Sequence, residues 1–311
     1  MRYAPSRVVS PACSPNDHQR GLAQTNGPRW GAALGRIRWL VRCRTAALAT
    51  FAAFALVIIS TSARAEPAGP FAGPYIGVNA GAAWGQSSFA TNPNCPATSV
   101  EATFCNAAPD PSAVNGTAVA ARGSGKVSSL GFAGGMQAGY NWQRGHIVYG
   151  AEVDFGAFDL EKRATESAGF PFAFLGTQYT LTQKMSAAWL ATVRARLGFT
   201  MMPHVLMYAT GGMAFSDVKV SSSYSDNAID ATFPGGSGYG SKSAIMTGWT
   251  AGGGVEWAHD KDWLIRLEYL YVDLGSIRVA VPTSNAAFSQ TMSVSSDVTA
   301  QIGRVGLNYR F

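Results

Sequence analysis

Apolar and polar residues alternate with a period of two at the end of the chain: Val305, Leu307, Tyr309 and Phe311 are apolar, while Arg304, Gly306, Asn308 and Arg310 are polar or tiny. This is the pattern of a strand with one oily face. In a soluble sheet that face would be the core; in a transmembrane barrel it meets lipid, and the other face lines a polar lumen. The same alternation recurs upstream. Residues 75–88 set Ile76, Val78, Ala80, Ala82 and Trp84 against Gly77, Asn79 and Gly81. Residues 128–142 set Phe132, Met136, Ala138 and Tyr140 against Gly131, Gly135, Gln137 and Gly139, and residues 147–158 set Ile147, Tyr149, Val153 and Phe155 against Glu152 and Asp154. In 185–200 the oily set is Trp189, Val193, Leu197 and Phe199 against Thr192, Arg194 and Arg196. Residues 244–258 give Trp249, Ala251, Val255 and Trp257 against Thr250, Gly252 and Glu256; residues 263–274 give Trp263, Ile265, Leu267, Tyr269 and Tyr271 against Arg266 and Glu268. With 205–220, apolar on both faces near its start and of unassigned facing, and a last segment at 296–311, the count is eight.

The connections alternate in length. Those at 141–146, 201–204 and 259–262 are tight; those at 89–127, 159–184, 221–243 and 275–295 are long and polar. Short turns at one end and long loops at the other predict an all-β, eight-stranded antiparallel up-and-down transmembrane β-barrel, with turns on the periplasmic side and four loops outside. A soluble barrel would instead turn the oily faces inward. Against it stand Trp84, Trp142, Tyr149, Trp189, Phe199, Trp249, Trp257, Trp263, Tyr271, Tyr309 and Phe311, which fall near strand ends on the oily face, where membrane interfaces hold aromatic girdles.

The amino end carries an export signal. Arg36, Arg38, Arg42 and Arg44 precede an uncharged apolar run at 45–59, and Ala63 and Ala65 supply the small residues that a signal peptidase inspects, so cleavage is predicted after Ala65. The run is too short for a membrane helix, and Cys43 lies before it, which argues against a lipoprotein. Residues 1–65 are thus read as leader, with 1–35 read as a start-site artefact, 66–73 as a Pro- and Gly-rich linker, and 74–311 as the barrel.

Removing the leader changes the charge. The whole chain carries +6, but residues 1–65 hold nine basic residues and one acidic one, leaving 15 basic against 17 acidic residues, or −2. Nothing then favours a nucleic-acid partner. The run Gly123-Ser124-Gly125-Lys126 lacks the first Gly and the final Ser or Thr of a phosphate loop and reads as a flexible loop; Asn115-Gly116-Thr117 marks a surface loop.

From Gly73-Pro74-Tyr75-Ile76-Gly77 through Arg194-Ala195-Arg196-Leu197-Gly198, Thr210-Gly211-Gly212 and Asn308-Tyr309-Arg310-Phe311, the chain resembles the small OmpA-like outer-membrane β-barrel family, in particular its alpha-proteobacterial surface-antigen branch. The resemblance covers nearly the whole mature chain. It implies a surface protein that helps to hold the outer membrane, partnered by outer-membrane lipid and by the assembly machinery, which in that family reads an aromatic terminus such as Phe311. The resemblance does not extend to the peptidoglycan-binding domain of longer relatives. Many members carry the label porin.

An eight-stranded barrel has an interior that side chains just fill. Glu152, Asp154, Arg194, Arg196, Glu256, Arg266, Glu268 and Arg304 fall on the inward face, four acids and four bases, and buried charges demand pairing. A paired lumen charge network and an essentially closed lumen are therefore predicted; a small-solute porin or transporter is the alternative. No enzyme, metal or cofactor is predicted, because His146, His204 and His259 fall in separate turns, away from the outer loops. Cys95 and Cys105, the pair left after the leader, share the first loop and are read as a disulfide, with free thiols or an intermolecular link as the alternative. The Ser-, Gly- and Thr-rich loops leave an extracellular or host ligand unidentified, and the oligomeric state is not fixed by sequence.

Overall fold

The computed structural model describes residues 69–94, 114–171, 177–227, 235–284 and 289–311. Eight antiparallel strands close one barrel in sequence order: β1 (Gly73–Pro93), β2 (Gly125–Arg144), β3 (Ile147–Gly169), β4 (Gln178–Met202), β5 (Val205–Asp226), β6 (Ser237–Ala258), β7 (Trp263–Ser284) and β8 (Ser289–Arg310), with β1 paired to β8. A helix, α1 (Val114–Arg122), lies between β1 and β2. Ala63, Ala65, Cys95 and Cys105 lie outside the described residues.

The oily residues form the outer wall. Leu267 is 63% exposed and Val193 47%, and Trp84, Trp249, Trp257 and Trp263 are similarly open, whereas no helix among the described residues is long and apolar enough to cross a membrane. Ring pairs tie the wall together, among them Trp142 stacked on Tyr149, Trp249 tilted against Tyr271 and Trp263 edge-on to Tyr309. The facing of β5 is now fixed: Leu206, Tyr208, Ala214 and Val218 point inward, while Met207 and Met213 face out.

The strands run well past their expected loop-side ends. Residues 159–169 and 178–184, expected in a long loop, belong to β3 and β4, which stay paired there, with hydroxyl pairs Thr165–Thr182 and Ser167–Thr180 and a 2.7 Å ion pair between Lys184 and Glu161. In this extension the polarity inverts. Tyr179, Leu181, Met185, Val218, Val220, Ile277, Val279, Val281, Met292 and Val294 are buried inside, and Thr180, Thr182, Lys184, Arg278, Ser293 and Ser295 look outward. The wall of this region is that of a water-soluble barrel around an apolar core. Register shifts at Ala187/Ala191 in β4 and Asp273/Ser276 in β7 change the inward phase where the two zones meet. Gly275 takes the left-handed φ of +77° that the second irregularity requires.

Two other expectations are overturned. Gly125 and Lys126 belong to β2, and the Gly123 carbonyl accepts from the Thr91 hydroxyl (2.6 Å) and the Gln183 amide (2.9 Å), so this run is anchored rather than loose. Asn115 is buried on α1, not on a surface loop, because the helix turns inward: Val119 joins the apolar core and the Tyr179 hydroxyl donates to the Ala118 carbonyl.

Candidate functional site: a layered barrel interior

Cross-strand register brings the inward charges together. Glu152 of β3 lies opposite Arg194 of β4, Glu256 of β6 opposite Arg266 of β7, and Glu268 of β7 opposite Arg304 of β8. Neighbouring strands are about 5 Å apart, so Glu152 meets Arg194 and Glu268 meets Arg304 directly, whereas Arg266 and Glu256 take partners on other strands, because long guanidinium arms cross the narrow lumen to reach the far wall.

Arg194 is the hub. One guanidinium nitrogen contacts Glu152 and Asp154, the latter at 2.8 Å, and the other approaches Glu268 at 3.1 Å. Arg266 crosses from the opposite side to hold Glu152 at 2.8 Å and approaches Glu268 at 3.5 Å. Arg304 bridges Glu268 at 2.6 Å and Asp154 at 3.1 Å, while Arg196 pairs with Glu256 at 2.6 Å. All eight groups are buried, Arg194 to 1% exposure.

Neutral groups add further hydrogen bonds; Thr192, Asn79 and Gln137 stand on the inward face expected from the alternation, whereas Tyr75 and Tyr208 were not assigned to it. Tyr75 donates to Glu152 and accepts from Arg196 at 3.0 Å; Tyr208 donates to Glu268 at 2.8 Å and lies 4.1 Å beneath the Arg196 guanidinium; Thr192 donates to Asp154 at 2.7 Å. The Asn79 amide donates to Gln137 at 2.8 Å. Their signal was present, since Tyr75 shares the inward phase of Gly77 and Asn79.

Glycine makes room for this layer. A Cβ on Gly139 would lie 2.5 Å from the Tyr75 hydroxyl, and one on Gly254 would lie 2.8 Å from that of Tyr208. A methyl group at either position would collide with its tyrosine and with the neighbouring strand's backbone.

Apolar side chains flank the charges on both sides. Toward the loop end, Phe158, Leu160, Leu190, Leu270, Val272, Val298 and Ile302 begin a core that continues to α1. Toward the turn end, Phe71, Val148, Leu206, Tyr208, Ala258 and Leu264 form a second cluster. The space touching Asp154, Arg304, Phe158 and Leu190 amounts to about 10 Å³, room for a single water molecule. His146, His204 and His259 stand at the turn end, His146 bonded to Thr200 at 3.0 Å, and no group of metal-binding side chains occurs among the described residues.

The sequence has relatives. Residues 49–311 match the family described as the outer membrane protein beta-barrel domain. The chain is 33% identical over 288 residues to the 31 kDa outer-membrane immunogenic protein of Brucella melitensis, covering 86% of this chain and 96% of that protein. It is 34% identical over 150 residues to the 22 kDa outer membrane protein of Rhizobium leguminosarum, covering 48% and 55% of the two chains. Among solved structures, the outer membrane protein OprG of Pseudomonas aeruginosa aligns over 79% of this chain and 99% of its own, with a TM-score of 0.42 and 12% identity. The closed ring of eight strands, the apolar outer wall, the family match over residues 49–311 and the likeness to the Brucella protein lead to one conclusion: the chain belongs to the outer-membrane β-barrel family and resides in the outer membrane.

Proposed function

We propose that this outer-membrane protein is a surface-display barrel with a closed lumen, a structural and interaction protein rather than a channel or an enzyme. The observation that carries the reading is the unbroken interior: a paired charge layer between two apolar layers, with α1 packed on the loop-side core. A solute would have to separate buried ion pairs and then cross a packed apolar core, and each step opposes passage. The porin alternative would need a continuous polar path, and the layers of Leu190, Leu270 and Ile302 work against one.

In this reading the tight turns face the periplasm and the polar extension projects outward, carrying the loops beyond the lipid surface to meet an extracellular or host ligand. The extension suits that task because its outer face of Thr, Ser, Lys and Arg tolerates water while its core keeps it rigid. The cleaved leader ending at Ala65, the disulfide of Cys95 with Cys105 and recognition of Phe311 by the assembly machinery belong to the same reading.

Cysteine substitutions at Thr182 and at Lys261 test it on intact cells with a membrane-impermeant thiol reagent. Thr182→Cys is expected to label and Lys261→Cys to stay unlabelled until the outer membrane is permeabilised. The reverse pattern would overturn the orientation and, with it, the display role.

A further inference from the structure

Phe71 precedes β1, yet its side chain is fully buried in the barrel floor, among Val148, Leu206, Tyr208, Ala258 and Leu264. Residues 69–72 therefore turn under the barrel mouth instead of leading away from it. The segment is seated by backbone groups clasped from other strands. On β2, the Gln143 side-chain oxygen accepts from the Phe71 amide at 3.1 Å, and the Asn141 amide donates to the Phe71 carbonyl at 3.2 Å. From β8, Arg310 donates to the carbonyls of Gly69 (2.9 Å) and Ala72 (3.2 Å). The same guanidinium holds the Lys261 carbonyl in the β6–β7 turn.

This clasp is built differently from the rest of the lumen. The charge layer is fixed by side chains on strands locked in the ladder, whereas Phe71, the centrepiece of the floor, is carried on a short turn held by about four polar contacts. Arg310 is the link between the two. It sits on the strand that closes the barrel, and Phe311, next to it, donates its amide to the Pro74 carbonyl at 3.0 Å. The floor is thus completed only once β8 has paired with β1.

We propose that residues 69–72 form a hinged stopper for the turn-side mouth of the lumen, with Phe71 as the plug and Arg310 as the latch that seats it after barrel closure. Release of the latch exposes a shallow vestibule beneath Tyr208 and Arg196, while the charge layer above it stays shut. The inference rests on the closed-lumen reading but concerns a separate device. A conducting barrel would defeat that reading and leave the stopper test unaffected.

The test follows the thiol of a Phe71→Cys variant in protein extracted from the outer membrane into detergent, with modification read by mass spectrometry of the peptide that contains position 71. Detergent gives the reagent access to both mouths, so the result does not depend on orientation. With Arg310 and Gln143 intact, modification is expected to be slow. Adding Arg310→Gln removes charge-assisted hydrogen bonds, and the rate is expected to rise roughly tenfold. Adding Gln143→Ala instead, a half-buried position near the end of β2 that leaves β8 untouched, is expected to raise it by a smaller factor, and this variant decides the matter if Arg310→Gln fails to assemble. Fast modification with both residues intact, or an unchanged rate in the assembled variants, would overturn the proposal.

Discussion

Single residues in this barrel divide into those whose partners restrict them and those left with few. Arg194 has three carboxylates around it, so its loss leaves Glu152, Asp154 and Glu268 short of positive charge in a dry interior. Arg194→Ala is therefore expected to lower stability by about 3 to 5 kcal/mol, read as a lower urea midpoint, with part of the loss recovered in the Arg194→Ala, Glu152→Gln double variant. An unshifted midpoint would mean that water already screens the layer. Lys162 shows the opposite condition. It is buried on β3 in the extension, donates to the Val127 carbonyl at 3.2 Å and has no ion-pair partner among the described residues; burial pushes its amine down to about 8. The unfolded chain then holds this proton more tightly than the folded one between pH 8 and about 10.5, so stability rises with pH across that window. Lys162→Met is expected to stabilise the barrel at pH 7 and to lose that advantage as the pH approaches 10.5, which urea titrations at several pH values measure. At this scale the sequence was legible wherever a charge sat in strict alternation with oily residues, as for Arg194 between Val193 and Ala195. Phe71 and Arg310 were not legible, because their roles depend on a turn that folds back under the mouth, and no periodicity records that.

Elements show why the turn-side part of the strands was visible and their loop-side extension was not. In the membrane zone, β7 alternates Leu267 and Tyr269 outward with Arg266 and Glu268 inward, and the period of two reads cleanly. Past Gly275 the phase shifts by the register irregularity and the polarity inverts, so Ile277, Val279 and Val281 look like a fresh apolar run in a polar loop. A similar break at Ala187/Ala191 lies just short of residues 178–184 of β4, the part that was read as loop. A pattern that both shifts and inverts carries no continuous signal, and a long loop is the natural misreading of it. The two faces of the membrane zone also predict opposite tolerances. Leu267→Arg places a charge on the exposed wall between Val255 and Val305 and is expected to cost about 2 to 4 kcal/mol near mid-membrane depth. Thr250→Ser keeps the hydroxyl that donates to the Tyr271 carbonyl at 2.9 Å and is expected to change little. Urea unfolding of the two variants in lipid separates them, and equal losses would contradict the assigned facing.

For the whole molecule, strand number, antiparallel order and location in the outer membrane were all readable in advance, because turn spacing and aromatic placement are set by the thickness of a bilayer. The layering of the lumen was readable only in its middle. The apolar cores on either side come from residues whose inward phase depends on closure of the ring, and α1 adds a piece that no strand pattern anticipates. Together these layers make the central claim, that the interior is sealed from one mouth to the other. Refolded protein inserted in a planar bilayer at neutral pH tests it directly. The sealed interior predicts no steady current above the bare membrane, whether or not Phe71 is replaced by alanine, since the charge layer remains shut in both. Stable unitary conductance from the unmodified barrel, with preserved folding in the same preparation, would contradict the closed lumen and favour a porin.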